Sequence, residues 1–355
     1  MRTGQSWVEG YRLAFRRLAA PAFLCVLPLV VLGLTLALAV RQGDFAVDFH
    51  NELYPQAKLV LHGTDPYPPP GSDLSSGANS IWPVAALVPV FPLVPLPPGA
   101  ADGVWTALVI VSLLATLLVL GVRDWRVVGV TFLWAPVISA IQTANLTLPL
   151  GLLLAIAWRF RHGRGTAGVA VGVGIAAKFF LWPFVPLFAA LRRRTDAAIA
   201  LALALGSLLL LLPFISIGDY LRLVHSLSNT FERHSYTLYA FLTSVHTGGE
   251  AARIAAIAVG IIVLALSVVR RSFAIAVGAA LALSPIVWLH FFALLVVPLA
   301  IVRPRFCAAW LVPAALIVAP GTGNGGPWRT GFALLVAAAT LAWCAREERA
   351  RGLRA

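Results

Sequence analysis

Asp48 opens the run Asp48-Phe49-His50-Asn51-Glu52-Leu53-Tyr54, Lys178 is the one charge between residues 165 and 191, and His290 is the one ionisable group between residues 272 and 302. An ionisable residue at membrane depth is costly, so its presence points to function and to an oppositely charged partner. A carboxylate can take a proton from an attacking hydroxyl, while cations hold a phosphate as it leaves with negative charge. This set fits transfer of a group from a lipid phosphate. Asp48 belongs to a wider polar stretch, GDFAVDFHNELYPQAKLVLHGTDPY over residues 43–67, in a chain otherwise poor in acid. Each residue also has a plainer reading: Asp48 as a helix cap, Lys178 as a snorkelling side chain, His290 as a satisfied buried imidazole, and Gln142 and Asn145 as helix-end caps.

The elements that position these groups must be membrane helices. The chain is 60% hydrophobic and only 12% charged, with a mean hydropathy of +0.88, values outside the range of ordinary soluble domains. Residues 21–40 and 197–218 are charge-free runs suited to one crossing each of a hydrocarbon layer about 30 Å thick. The first run ends in no clear small-residue cleavage site and is expected to be a retained helix. The formal net charge of +13 could suggest nucleic acid, but the basic residues lie in short clusters between apolar runs, as the positive-inside rule arranges them. Cys25, Cys307 and Cys344 all lie in apolar segments and imply no disulfide framework.

One alternating path places the main arginine clusters on a single, cytoplasmic side: Arg2, Arg12, Arg16 and Arg17; Arg123 and Arg126; Arg159, Arg161 and Arg164; Arg192 to Arg194; Arg270 and Arg271; Arg303 and Arg305; and Arg346, Arg349, Arg351 and Arg354. The 43–67 stretch then lies outside, with an interfacial amphipathic helix over 46–62 and a loop over 64–77. Residues 81–98 carry prolines at 83, 89, 92, 95, 97 and 98, which predicts a short broken or re-entrant element. Crossings are expected over 104–121, 127–141 and 146–158, with a turn at 142–145. Residues 164–192 and 271–303 have both ends on the arginine side yet are too short for two full crossings, so each predicts a shallow hairpin. Pro183 and Pro186, and Ser284-Pro285, would supply the breaks, with Lys178 and His290 near the elbows. Residues 197–218 run outward to a loop over 219–249, where Leu221, Val224 and Leu227 have helical spacing for a surface helix. Residues 254–269 return, and final crossings over 307–319 and 328–344 flank a Gly-rich turn at 321–326. On this path Asp44, Asp48, His50, Glu52, Gln142, Asn145, Lys178, Arg233, His234 and His290 gather on the outer side. His50, Glu52 and His62 do not share a helical face and make a poor metal set.

The order D-F-H-N-E-L-Y…L-H-G-T-D-P-Y at Asp48 to Tyr67, Q-T-A-N-L at Gln142 to Leu146, A-G-V-A-V-G-V-G-I-A-A-K-F-F at Ala167 to Phe180, and S-P-I-V-W-L-H-F at Ser284 to Phe291 resembles the GT-C glycosyltransferases of family 87. These include polyprenol-phosphate-mannose-dependent mannosyltransferases and related arabinofuranosyltransferases. The resemblance spans roughly residues 20 to 300 and lies in the order of the motifs more than in any one. It implies Asp48 as catalytic base and Lys178 and His290 as donor-phosphate ligands. Departures from the pattern are Val287 for a usual serine, Phe291 for a second histidine, and one extra residue in Gln142-Thr143-Ala144-Asn145.

The resulting expectation is one all-α polytopic membrane domain over residues 1–355. It would have the GT-C fold, about 11–13 membrane helices including short or re-entrant ones, a catalytic outer loop at 44–81, a second at 219–250 and a cytoplasmic tail at 346–355. It would sit in the plasma (inner) membrane with both termini cytoplasmic and the active site on the outer face. The expected activity is that of an inverting glycosyltransferase moving a sugar, mannose foremost, from a polyprenyl-phosphate donor to a lipid-linked or cell-envelope glycan acceptor. Asp48 would be the base; Lys178, His290 and Arg233 would bind the donor phosphate; and His50, Glu52, Tyr54, Tyr67, Gln142, Asn145, His234 and Trp288 would bind substrate. Tyr54, Tyr67, Trp82 and Trp288 could stack on sugars or anchor at the interface. No metal or cofactor is required, and the partners are the lipid-linked sugar, the acceptor and membrane lipids, with no nucleic acid. Rival expectations are an arabinofuranosyl donor, a lipid or sugar transporter, and a non-catalytic assembly protein.

Overall fold

The structure, a computed structural model, describes residues 22–69, 71–75, 81–319 and 326–353. The expected cluster at Arg2, Arg12, Arg16 and Arg17, most of the turn at 321–326, and Arg354 lie outside them. The described chain is helical without strands: α1 (Leu27–Gln42), α2 (Tyr54–Leu61), α3 (Pro98–Val119), α4 (Trp125–Thr131), α5 (Ala135–Gln142), α6 (Thr147–Arg159), α7 (Thr166–Ala177), α8 (Phe184–Ala190), α9 (Arg194–Leu208), α10 (Ile217–Phe231), α11 (Leu238–Ser244), α12 (Gly249–Arg270), α13 (Phe273–Ala282), α14 (Val296–Val302) and α15 (Pro327–Ala350), joined by short 3₁₀ and π turns and one single α-helical turn, Val84–Leu87. Among the described residues, five helices are long and apolar enough to cross a membrane: Phe23–Gln42, α3, Arg194–Leu211, α12 and α15. The pair α4 and α5, bent by 69°, makes a sixth if it is one span. Large apolar side chains on these helices are exposed, among them Leu29, Leu34, Ile254, Ile261 and Leu335, a surface that only lipid would cover without penalty. The protein is a multi-pass, all-helical membrane protein.

Each break has a local cause. Helix α1 stops at Gly43, whose positive φ of 76° lets its N–H reach back to the carbonyls of Ala39 and Val40. The expected single crossing over 127–141 is divided into α4 and α5, because Pro136 in the first turn of α5 cannot continue the preceding helix. The expected crossing at 307–319 is instead two 3₁₀ turns, Ala308–Leu311 and Pro313–Val318, parted at Val312-Pro313. One face of this segment packs inward, where Trp310 is fully buried and its carbonyl accepts from Trp134 Nε1 at 3.0 Å, while Leu311 and Ile317 are exposed. The last helix is longer than expected and carries much of the 346–355 tail as helix, to Ala350.

Both segments expected to be shallow hairpins are broken into shorter helices. In the first, α7 lies against α9 through a seam of small residues. A Cβ on Gly168 would sit 2.4 Å from the Asp196 carbonyl oxygen, and one on Gly172 2.9 Å from Leu203 Cβ, so only glycine permits this approach. The Asp196 carboxylate fastens the seam, accepting from Gly168 N at 2.9 Å and from Arg193 Nε at 3.0 Å. The break falls at Lys178 itself, in extended conformation (φ −158°, ψ 116°), and not at Pro183 or Pro186, which begin and enter α8. In the second hairpin the break is where Ser284-Pro285 puts it, and His290 lies just past it in a 3₁₀ segment, Leu289–Leu295.

Helix α10 starts with a side-chain cap, Ser216 Oγ accepting from Asp219 N at 3.1 Å. Tyr220 and Leu223 are buried, Val224 and Leu227 face a cavity, and Leu221 is exposed. Tyr220, Leu223, Val224 and Leu227 follow an i, i+3, i+4, i+7 stripe, and the docking of Tyr220 Oη on the Ile81 carbonyl at 3.1 Å rotates the helix onto it.

Candidate active site

Asp48 is held by backbone before it is held by side chains. The segment 44–48 lies along the turn after α5: Ala46 N donates to the Gln142 carbonyl at 2.7 Å and Asp48 N to that of Thr143 at 3.1 Å. Both strands of this contact bend through alanines at positive φ, Ala46 at 55° and Ala144 at 53°. The Ala144 carbonyl is fixed in turn by Trp105 Nε1 at 2.9 Å. Asn145 then donates from Nδ2 to Asp48 Oδ2 at 2.5 Å, while its Oδ1 accepts from Thr147 N (2.9 Å) and Thr147 Oγ1 (2.7 Å). Those two bonds settle which end of the amide faces the carboxylate.

A π turn, Phe49–Leu53, follows Asp48 and runs directly into α2. It brings Glu52, four residues on, to the same cavity. Glu52 Oε2 accepts from Trp82 Nε1 at 2.6 Å, and the Trp82 carbonyl accepts from Gln56 Nε2 (3.0 Å) and Tyr67 Oη (3.1 Å). The proline-rich element is therefore a bracket for Trp82.

Lys178 reaches the same space from the first hairpin. Its Nζ sits 3.9 Å from the centroid of the Phe291 ring and 4.8 Å from that of Trp82. Phe291, which stands where the resembled pattern has a second histidine, thus gives the ammonium an aromatic face. His290 is buried, and its Nε2 finds no hydrogen-bond partner among the described residues. Asp48, Glu52, Lys178, His290 and Trp288 all line one cavity of about 710 Å³. Its remaining wall is mainly apolar and aromatic, with Phe179, Trp182, Leu227 and Phe231, and a few hydroxyls including Ser139 and Ser228.

Burial raises the pKa of Asp48, opposed by the Asn145 hydrogen bond and the Lys178 charge. Burial likewise pushes Glu52 up, to about 8, helped by the neighbouring Asp48 and opposed by Trp82 and Lys178. The charge of Asp48 raises Glu52, so the two acids titrate as a pair and each disfavours the ionisation of the other.

The other expected residues are placed elsewhere. His50 turns away from Asp48 and pairs through Nδ1 with Asp102 Oδ2 at 2.8 Å. Tyr54 and Tyr67 are buried and bound through their hydroxyls, Tyr54 to the Leu96 carbonyl at 2.8 Å, so neither faces the cavity. Gln142 contributes its carbonyl. Arg233, in the 3₁₀ turn Glu232–His234, lies beside Gly249, and neither it nor His234 lines the cavity. Asp102, missed in sequence, was marked only by being the lone acid within the apolar α3 segment. The Trp82–Glu52 bond had no sequence signal, since thirty residues and a loop separate the two. Among the described residues no group of three or more His, Cys, Asp or Glu side chains gathers as for a metal ion.

No family model, curated protein or solved structure matches the chain.

Proposed function

We propose that the protein is an inverting glycosyltransferase of the GT-C type, taking a sugar, mannose foremost, from a polyprenyl-phosphate donor to a hydroxyl of a lipid-linked or cell-envelope glycan. The observation that carries this reading is the meeting, in one largely apolar cavity, of a hydrogen-bonded aspartate with a lysine delivered from a broken membrane hairpin. In the step, the acceptor oxygen forms a bond to the anomeric carbon while the bond from that carbon to the phosphate oxygen breaks. The electron pair leaves with the lipid phosphate, whose charge Lys178 meets. Asp48 takes the acceptor proton. Asn145 holds the accepting oxygen in place, and Glu52 stores the neighbouring proton that keeps the acidic pair from carrying two charges. His290 lies beside the lysine and would bind the same phosphate. The apolar wall suits the isoprenoid stem of the donor, and Trp82 and Trp288 are the aromatic faces available to a sugar.

The test is transfer of a labelled sugar from polyprenyl phosphate in membranes bearing the wild-type chain or Asp48→Asn. The expected result is a new glycosidic product with wild type and a loss of about 10²-fold or more with the variant. Unchanged transfer removes Asp48 from the role of base. Movement of the lipid across the bilayer without a new bond would replace the transferase reading by transport. A preference for an arabinofuranosyl donor would keep the mechanism and change the sugar.

A further inference from the structure

A second cavity, of about 740 Å³, opens where α12 turns into α13 beside the end of α15, at the start of the helix whose Ala280 lines the first. Arg270, Arg271, Arg346 and Arg349 line it, all four exposed. None of them makes an ion pair among the described residues, whereas Arg303 and Arg351 are both paired with Glu347. The one acid in the lining, Glu348, is directed inward. Its Oε2 accepts from Ser272 Oγ at 2.6 Å and its Oε1 from Ala274 N at 3.0 Å, closing the start of α13. Among the described residues the mouth is therefore four cations without a facing carboxylate.

The turn holding two of them is a constrained one. Arg271 adopts φ 53° and ψ 44°, which a non-glycine residue takes only where its surroundings require it. It places Arg270 and Arg271 next to each other at the lip of the cavity. Just inside lies Val269, 75% exposed and part of the lipid-facing surface of α12. An occupant must then be anionic at the rim and apolar toward the bilayer.

We propose that this cavity binds the headgroup of an anionic phospholipid from the adjacent leaflet, its phosphate set among the four arginines and its acyl chains descending past Val269. A zwitterionic headgroup offers the same phosphate but brings an ammonium into the cationic mouth, so charge complementarity selects a lipid with net negative charge. The positive-inside rule makes that leaflet the cytoplasmic one. The site is separate from the Asp48 cavity and does not depend on the transferase reading.

The test is native mass spectrometry of the full chain, delipidated in neutral detergent and titrated with phosphatidylglycerol or phosphatidylcholine. Phosphatidylglycerol is expected to bind about tenfold more tightly or better, and the pair R346Q/R349Q, or R270Q/R271Q, to lose about tenfold of that affinity. A charge-matched variant on two other exposed arginines of the same side, R123Q/R164Q, is expected to retain it. Equal binding of the two lipids overturns the proposal, as does equal loss in the charge-matched variant, which would mean diffuse surface attraction. Displacement of phosphatidylglycerol by inorganic phosphate at similar concentration also overturns it, in favour of a free anion. Because each pair is removed separately, a variant that fails to insert leaves the other to decide.

Discussion

Removing the amide that faces Asp48 tests the site at its most specific contact. Asn145 Nδ2 donates to Asp48 Oδ2 at 2.5 Å, and burial is what raises the acid's pKa against that bond. A hydrogen bond to a charged group contributes about 1.5–3 kcal/mol, so Asn145→Ala should lower the dissociation constant of the acid about ten- to a hundredfold. The sign follows from which form the donor favours. It stabilises the anion, so its loss moves proton release to higher pH. In sugar-transfer assays from pH 5.5 to 9.5, the alkaline rise of the rate should move upward, with part of the activity regained at high pH. An infrared titration of the carboxyl band, with Asp48→Asn as the blank, reads the same change without any substrate. Alanine also strips the acceptor from Thr147 N and Oγ1 at the start of α6, a cost that lowers stability but leaves the midpoint of the titration alone. Asn145→Asp keeps that acceptor and sets an acid against Asp48, so its displacement should exceed that of alanine. Pre-titrated profiles of Asn145→Ala and wild type that superimpose, in rate and in the infrared band, would show that Asn145 does not set the state of Asp48.

Glu52 holds its proton up to about pH 8 in the folded chain against an ordinary value of 4.5, so the native state binds more protons in that window and stability should fall as pH rises through it. Glu52→Gln is expected to flatten the fall of Tm between about pH 5 and 8 and to gain most at the alkaline end; an unchanged slope would refute the burial argument. Gly168→Ala forces a Cβ to within 2.4 Å of the Asp196 carbonyl oxygen and should cost about 1–3 kcal/mol by thermal unfolding in detergent, while Gly206→Ala, with nothing within 4 Å, should be neutral or slightly stabilising. Lys178→Gln should abolish most transfer, about 10² or more, and Lys178→Arg should recover part of it, since the charge over Phe291 and Trp82 is kept but its geometry is not; equal activity of Gln and wild type would remove the lysine from the donor site.

The membrane class, the breaks in the two short arginine-flanked segments and the grouping of Asp48, Lys178 and His290 at one cavity follow from patterns along the chain: charge-free run lengths, arginine clusters, and apolar segments too short to cross twice. What those patterns did not carry was direction within a turn. Prolines 183 and 186 pointed to the break of the first hairpin, yet a helix tolerates proline in its first turn, and the chain opens at Lys178 instead. On α10 the spacing of Leu221, Val224 and Leu227 carried the helix but not which of its residues are buried; the tertiary bond at Tyr220 turns Tyr220 and Leu223 inward. His50, two residues after Asp48, looked like part of one cluster, but the π turn sends it to Asp102 while Glu52 stays with the cavity. Asn145 was legible as a polar turn residue; its bond to an aspartate 97 positions away was not, because no local pattern pairs two turns so far apart.

The two main-chain bonds that hold residues 44–48 to the turn after α5 depend on no side chain of either segment. Asp44, Phe45 and Val47 can therefore vary by mutation without loosening the register in which Asp48 is presented. A lineage built on this arrangement could change what docks beside the aspartate one substitution at a time, keeping the reacting group fixed while the neighbourhood that selects its acceptor drifts.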